Sequence, residues 1–265
     1  MSPLLPDQRT IVLTGSEAGL FRASQGRAQC LARVDFNLGD EAGLLQAMAQ
    51  LLEQVRRGTC LRLLLASHYV RYALVPWSDD IHSPAELAAY VRLRYELIYG
   101  EHVRNWRFSL SSESAGKPRL SAALPDELLK SWCELVSQSG NQLGSVQPYL
   151  AVAFNRFRNR LEPDDFLFIL AEPGRGSLLQ VSNGAWVGVY SQGCAERREA
   201  LADLVVRQST LLGLAAGSKR QAFLHAPGQT LDDLALPEEL HCQRLQLGSP
   251  ADSVDPLTDM ARVGC

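Results

Sequence analysis

Apolar residues along the first part of the chain fall into short alternating runs and then into one long helical stripe. From residue 10 the sequence reads TIVLTGSEAGLFRASQGRAQCLARVDF, which predicts three strands separated by turns at Gly15 and at Gln25-Gly26. Leu44, Leu45, Met48, Leu51, Leu52 and Val55 then recur at the 3.6-residue period. They predict a helix from about Asp40 to Arg57, stopped by Gly58, and a strand follows at Leu61–Ala66. The same order returns from Asp165. A strand runs to Ala171, a turn holds Gly174 and Gly176, and a second strand ends at Ser182. Asn183-Gly184 is a strong hairpin signal, and AWVGVY is a third strand. A helix is predicted from about Ala195 to Leu212 on Leu201, Leu204, Val205, Leu211 and Leu212, with Glu196 and Glu199 in the first turn, where the helix dipole favours acids. QAFLHA supplies the next strand, and LDDLALPEEL and CQRLQL continue as a helix and a strand.

Three antiparallel strands, a helix and a further strand, present twice, describe an α/β chain of the degenerate actin-like ATPase (ribonuclease H-like) fold, with two duplicated lobes. Between the copies the sequence predicts an inserted α+β module. It comprises YVRYALVPW, a helix over Pro84–Tyr99 opened by its proline, strands NWRFSL and PRLSAAL, a helix PDELLKSWCELVSQSG and a strand QLGSVQ. The expected layout is a first lobe over 1–160, with the insert at about 68–147, and a second lobe over 161–265.

Composition narrows the function classes. The chain is 46% hydrophobic and 21% charged with a net charge of −3, so it lacks the basic excess of a nucleic-acid binder. Arg156, Arg158 and Arg160 read as a solvated helix face. The opening MSPLLPDQRT has no export-signal pattern, and the most apolar stretch is interrupted by Arg62, His68 and Arg71, so no membrane span is expected. Six cysteines without a CxxC pair read as reduced thiols of a cytoplasmic protein. The five histidines have no metal-ligand spacing, GSEAG does not fit a nucleophile elbow, and the Asp-Asp pairs at 79–80, 164–165 and 232–233 fall at turns or helix starts, where capping explains them.

The remaining chemistry is phosphate binding. In the actin-like fold two facing hairpin turns cradle phosphate through glycine backbone amides, and an aspartate on each turn holds a hydrated Mg²⁺. Gly15 and Ser16 fit the first turn, but Leu13 stands in the aspartate position and has no oxygen to offer. Glu172, Gly174, Gly176 and Ser177 fit the second, where Pro173 removes one amide donor. Where adenosine-binding members carry a Gly-Gly pair, HAPGQT keeps only Gly228. The expectation is a glycine turn that only joins two strands, with no catalytic residue, no metal and no cofactor, and with ATP and Mg²⁺ disfavoured by Leu13. The alternative is a nucleotide-binding ATPase or a kinase-like phosphotransferase resting on the six turn residues Gly15, Ser16, Glu172, Gly174, Gly176 and Ser177.

The stretches VRYALVPWSDDIHSPAELAAYVRLRYELIYGEHVRNWRFSLSS and AALPDELLKSWCELVSQSGNQLGSVQPYLAVAFN resemble the actin-like scaffold proteins of bacterial type IV pilus and type II secretion machines. These are the PilM-type proteins, the mannose-sensitive-haemagglutinin pilus protein I and the cytoplasmic part of secretion protein L. The resemblance rests on the Pro76-Trp77 element, a helix ending near Tyr95-Glu96, and a passage matched by Ser139-Gly140, Val146, Pro148 and Ala151. The ending DPLTDMARVGC also resembles the family's closing helix. It implies a non-catalytic scaffold at the inner face of the inner membrane, docking the cytoplasmic tail of a bitopic membrane protein and the assembly ATPase. Membrane-bound members carry an anchor after this part, so the chain is expected to resemble the soluble pilus type or to be a piece of something longer. Tyr90, Tyr95, Tyr99, Trp106 and Phe108 read first as core packing, but Tyr90, Arg94, Tyr95, Trp106 and Phe108 are also of residue types enriched at interfaces and are the candidate partner surface, beside a groove between insert and first lobe.

Overall fold

The computed structural model describes residues 9–24, 27–161, 164–194, 198–211, 220–229, 240–247 and 255–264. The turn at Gln25-Gly26, Glu196, Leu212, Asp232-Asp233, the helix predicted after residue 230 and Cys265 lie outside the described residues.

β1 (Arg9–Leu13), β2 (Glu17–Ser24) and β3 (Arg27–Asp35) form an antiparallel meander. α1 (Glu41–Leu52) then crosses to β4 (Cys60–Leu65), which lies parallel to β1. Asp40 caps α1 by accepting from the Gly43 amide. The helix stops a turn before the predicted end at Arg57. Val55 stays buried because Gln54 and Val55 close tight turns onto Leu51 and Leu52, so the apolar stripe outlasts the helix.

The insert follows as β5 (Arg71–Val75), α2 (Pro84–Tyr99), β6 (Trp106–Leu110) and β7 (Arg119–Pro125), a three-stranded sheet in the order β5-β7-β6 with α2 packed on it. α2 occupies the predicted residues. Ser83 and Glu86 close a reciprocal capping box, Pro84 opens the first turn, and Gly100 ends the helix at φ 88°.

The next two elements correct the sequence reading, which assigned them to the insert. α3 (Asp126–Gln138) buries Trp132 and Val136 in the first lobe's core, and β8 (Gln142–Pro148) pairs in parallel with β4 from Cys60↔Gln142 to Leu65↔Pro148. The reason lies in β4, whose buried edge would otherwise present unpaired backbone groups away from water. The first sheet therefore runs β3-β2-β1-β4-β8.

α4 (Tyr149–Phe157) leads to the second lobe, where β9 (Phe166–Glu172), β10 (Arg175–Ser182) and β11 (Ala185–Gly193) repeat the meander. Asn183 and Gly184 turn the β10–β11 hairpin with φ 51° and 65°, the paired left-handed geometry that Asn-Gly favours. α5 (Arg198–Leu211), β12 (Arg220–His225) and β13 (Leu240–Arg244) complete a sheet in the order β11-β10-β9-β12-β13, strand for strand the order of the first.

One apolar core runs through both lobes, with Phe166, Phe168, Leu179 and Phe223 of the second packed into the cluster built on β1, β4 and α1. α6 (Pro256–Gly264) folds back over β1–β3 and α4. Arg33 pairs with Asp255 at its start, and Arg62 donates to the Gly264 carbonyl at its end.

Within this seam the Tyr149 hydroxyl meets His225 Nε2 at 2.7 Å, and His225 Nδ1 lies 3.0 Å from the Leu245 carbonyl. A carbonyl can only accept, so Nδ1 carries the proton and Nε2 accepts from the tyrosine. Burial holds His225 neutral, with its pKa pushed down to about 4. Tyr149→Phe strands Nε2 without a donor and is expected to destabilise the protein by about 1–3 kcal/mol, measured as a drop in the urea midpoint at unchanged slope.

Candidate functional site

In the first turn, the amides of Ser16 and Glu17 both point to Thr14 Oγ1, at 3.4 and 3.0 Å, and the Thr14 amide donates to the Glu17 carbonyl at 2.9 Å. The amides of Thr14, Ser16 and Glu17 are thus engaged within the turn. Leu13 is wholly buried in β1 between Ala18 and Leu65.

The second turn is built on Pro173 and Gly174, with Glu172 and Arg175 paired across it and Gly174 at φ 70°. Proline followed by a left-handed glycine is what a type II turn requires. The Glu172 side chain is buried and accepts from the Ser67 amide, at 3.1 Å to Oε1 and 3.2 Å to Oε2. Gly176 and Ser177 face away from this point. A Cβ on Gly176 would stand 2.7 Å from Leu204 Cδ2 of α5, so the glycine serves close helix packing, and the Ser177 hydroxyl bonds Ser191 at 2.9 Å.

The structure joins the two turns through a residue that the sequence analysis treated only as an interruption. His68, on the connection from β4 to β5, lies against both: a Cβ on Gly15 would stand 2.9 Å from its ring, and one on Gly174 would stand 3.5 Å from its Nε2. The only hint in the sequence was a polar Ser67-His68 pair closing an apolar run. Gly15, Glu172 and Gly174 therefore gather around the Ser67–His68 segment, while Ser16, Gly176 and Ser177 are engaged elsewhere.

Charge here is unevenly answered. Burial raises Glu172 to about 7, against the pull of the Ser67 hydrogen bonds and Arg175. Burial, followed by the positive charges of Arg175 and Arg71, lowers His68 to about 4. Arg175 is itself shifted down by burial and by Arg71, and its Nε donates to Ser191 at 3.0 Å. Gly228, the remnant of the adenosine signature, gives its amide to Asp259 of α6 at 2.9 Å, and a Cβ there would stand 2.3 Å from the Pro256 nitrogen. Its glycine is required by the seating of α6. Among the described residues no group of three His, Cys, Asp or Glu side chains is placed to hold a metal ion.

The expected partner residues build the insert's own core. Tyr95 is buried, its hydroxyl on the Arg71 carbonyl (3.2 Å) and Ser121 Oγ (3.1 Å), and Trp106 packs against Tyr95 and Tyr99. Tyr90 and Phe108 are half-buried on the same cluster, and Arg94 is half-buried beside it in sequence. The core packing that the sequence reading puts first for these aromatics is what the structure shows. Exposed apolar surface on α2 comes instead from Leu93, Leu97 and Ile98.

A groove of about 790 Å³ lies between the insert, α4 and the β10–β11 hairpin, lined by Tyr72, Ala122, Phe154, Asn155, Arg158 and Trp186, among others. Two bonds bridge the insert's β6–β7 connection to the second lobe: Trp186 Nε1 to Glu113 Oε1 at 2.7 Å, and Lys117 Nζ to the Gly184 carbonyl at 3.1 Å. The groove expected between insert and first lobe thus has the second lobe as its third wall.

No protein-family model matches the chain, and no curated protein matches it in sequence. Its structure is similar to that of a chain of the PilM–PilN type IV pilus biogenesis complex, with a TM-score of 0.67 at 15% identity over 99% of this chain and 98% of the other. It is similar to the cytoplasmic domain of EpsL, an inner-membrane component of the type II secretion system of Vibrio cholerae, with a TM-score of 0.61 at 13% identity over 97% and 92%. A Bacteroides thetaiotaomicron protein with an actin-like ATPase fold gives a TM-score of 0.57 at 11% identity over 86% and 84%. The chain has the actin-like fold, as its twice-repeated strand order led us to expect. No helix among the described residues is long and apolar enough to cross a membrane.

The buried carboxylate gives a signed pH dependence. Its folded pKa of about 7 lies above the unfolded value of 4.5, so the stability linked to Glu172 is fully present below pH 4.5 and is lost as pH rises through 7. Glu172→Gln keeps an acceptor for Ser67 and has no charge to bury. Relative to the parent protein it is expected to gain up to about 3 kcal/mol between pH 4.5 and 8, read from paired urea titrations. His68 and His225 contribute with the opposite sign between about pH 4 and 6.5 and cancel in that difference.

Proposed function

We propose that this protein is a non-catalytic scaffold in the inner-membrane platform of a type IV pilus or type II secretion machine. It works at the cytoplasmic face and holds a segment of a bitopic membrane partner, with the assembly ATPase as a second partner. The observation that carries the reading is the Ser67–His68 segment lodged against both glycine turns, with the one remaining acid spent on the Ser67 amide. The residues present do not fit Mg-ATP: Leu13 offers no oxygen, the Ser16 and Glu17 amides of the first turn are engaged, and the Gly228 amide is held by Asp259. A phosphotransferase needs an acid at position 13, and the chain has none there.

What is left open is the groove, and its walls suit an extended peptide: aromatic faces from Tyr72, Phe154 and Trp186, with Asn155, Arg158 and Asp164 as polar contacts. The likeness to a pilus protein solved as a complex, and to a secretion component of the inner membrane, supports a membrane-protein tail as occupant.

Two measurements test this. In a thermal scan, Mg-ATP at about 100 times a real dissociation constant would add about 2.7 kcal/mol and several degrees. The expected result is no shift at millimolar nucleotide, and a rise of several degrees would overturn the reading. A photo-crosslinking residue at Asn155 or Ala151, in cells, is expected to capture the short cytoplasmic tail of a single-span inner-membrane protein.

A further inference from the structure

The insert contains a second cavity, of about 260 Å³, where the chain leaves β5 and enters α2, and of its lining only Lys117 is shared with the groove. Val75, Ile81 and Leu87 give it an apolar wall, Trp77 an aromatic one, and Lys117 and Arg119 bring positive charge to it. The pairing of β5 with β7 sets Arg119 opposite Val75, and the guanidinium carbon lies 5.8 Å from the centre of the Trp77 ring. Stacking on an aromatic face orients the guanidinium but supplies no acceptor.

Arg119 Nε is shut off from water without a hydrogen-bond partner, and no carboxylate pairs with this side chain among the described residues. Two neighbouring acids are committed. Asp79 accepts from the Trp77 indole at 2.8 Å, and Glu86 accepts from the amides of His82 and Ser83 at 2.7 and 3.1 Å. Those bonds also satisfy the start of α2, so the unanswered donor in the cavity is the guanidinium and not the helix end.

We propose that this cavity anchors an acidic segment of a partner protein, with a carboxylate on the Arg119 fork and an adjoining aliphatic side chain against Val75, Ile81 and Leu87. The charge fits, since the lining carries two cations and no free acid, and a guanidinium matches a carboxylate two bonds at a time. The size fits as well. The cavity falls below the roughly 300–1,000 Å³ of small-molecule sites and suits one side chain, and Trp and Arg are the residue types that anchor protein interfaces. Apart from Lys117, whose ammonium bonds the Gly184 carbonyl, this site shares no lining with the groove.

The probe is N-acetyl-Leu-Asp-amide, with N-acetyl-Leu-Asn-amide as the neutral comparison, followed through the indole N–H resonances of the full-length protein. Trp77→Phe identifies the Trp77 signal among the four tryptophans. The acidic probe is expected to shift Trp77 saturably at low ionic strength and to bind at least about tenfold tighter than the amide. Arg119→Gln abolishes that preference, and Arg119→Lys keeps part of it, because a point charge replaces the fork. The signal of Trp132, buried in the first lobe, reports that each variant is folded. No movement of Trp77, equal response to both probes, or an undiminished preference in Arg119→Gln would overturn the proposal. So would binding of hexanoate without binding of the dipeptide, which would make the occupant a free aliphatic acid.

Discussion

Glu172 ends β9 in a place that water does not reach, and the amide that answers its carboxylate belongs to Ser67 in the other lobe. Much of the molecule's arrangement follows from that contact. It fixes the β4–β5 connection against the second lobe, sets His68 against the two hairpin turns, and starts β5 and with it the insert. Burial, with no arginine in salt-bridge contact among the described residues, raises the carboxyl pKa to about 7, so it is divided between its charged and protonated forms at neutral pH.

The same contact separates architecture from chemistry. A phosphate site in this fold needs two turns whose amides are free and whose glycines face open space. Here several of those groups have a partner inside the protein: Thr14 for the Ser16 and Glu17 amides, α5 for Gly176, α6 for Gly228. The chain keeps the duplicated sheets and uses the space between them for packing.

The duplication was legible because strand order is written in local pattern: alternation, Gly-containing turns, and helical stripes recur in sequence at the same places in both copies. The caps of α2 were legible for the same reason. Sheet membership was not. Nothing local to GNQLGSVQ tells whether it extends the insert or covers the β4 edge, since that depends on which buried backbone lacks a partner. Gly174 and Gly176 were weighed as phosphate positions and Gly228 as an adenosine remnant, yet a glycine is silent about whether backbone approaches a ligand or another side chain. Tyr95 and Trp106 carried a parallel ambiguity, because aromatics are enriched both in cores and at interfaces, and here they pack in the insert's core. His68 escaped notice because its importance comes from two turns about 160 residues apart in the chain.

The bridge from the insert's β6–β7 connection to the second lobe has a mechanical consequence. Glu113 and Lys117 hold Trp186 and Gly184, and β5 packs against β11, so the insert is braced on both lobes. A pull on the insert loads two attachments in parallel, and the lobes cannot rock about α4 without shearing both. At this point the molecule is braced like a truss, by a loop that neither lobe's core contains.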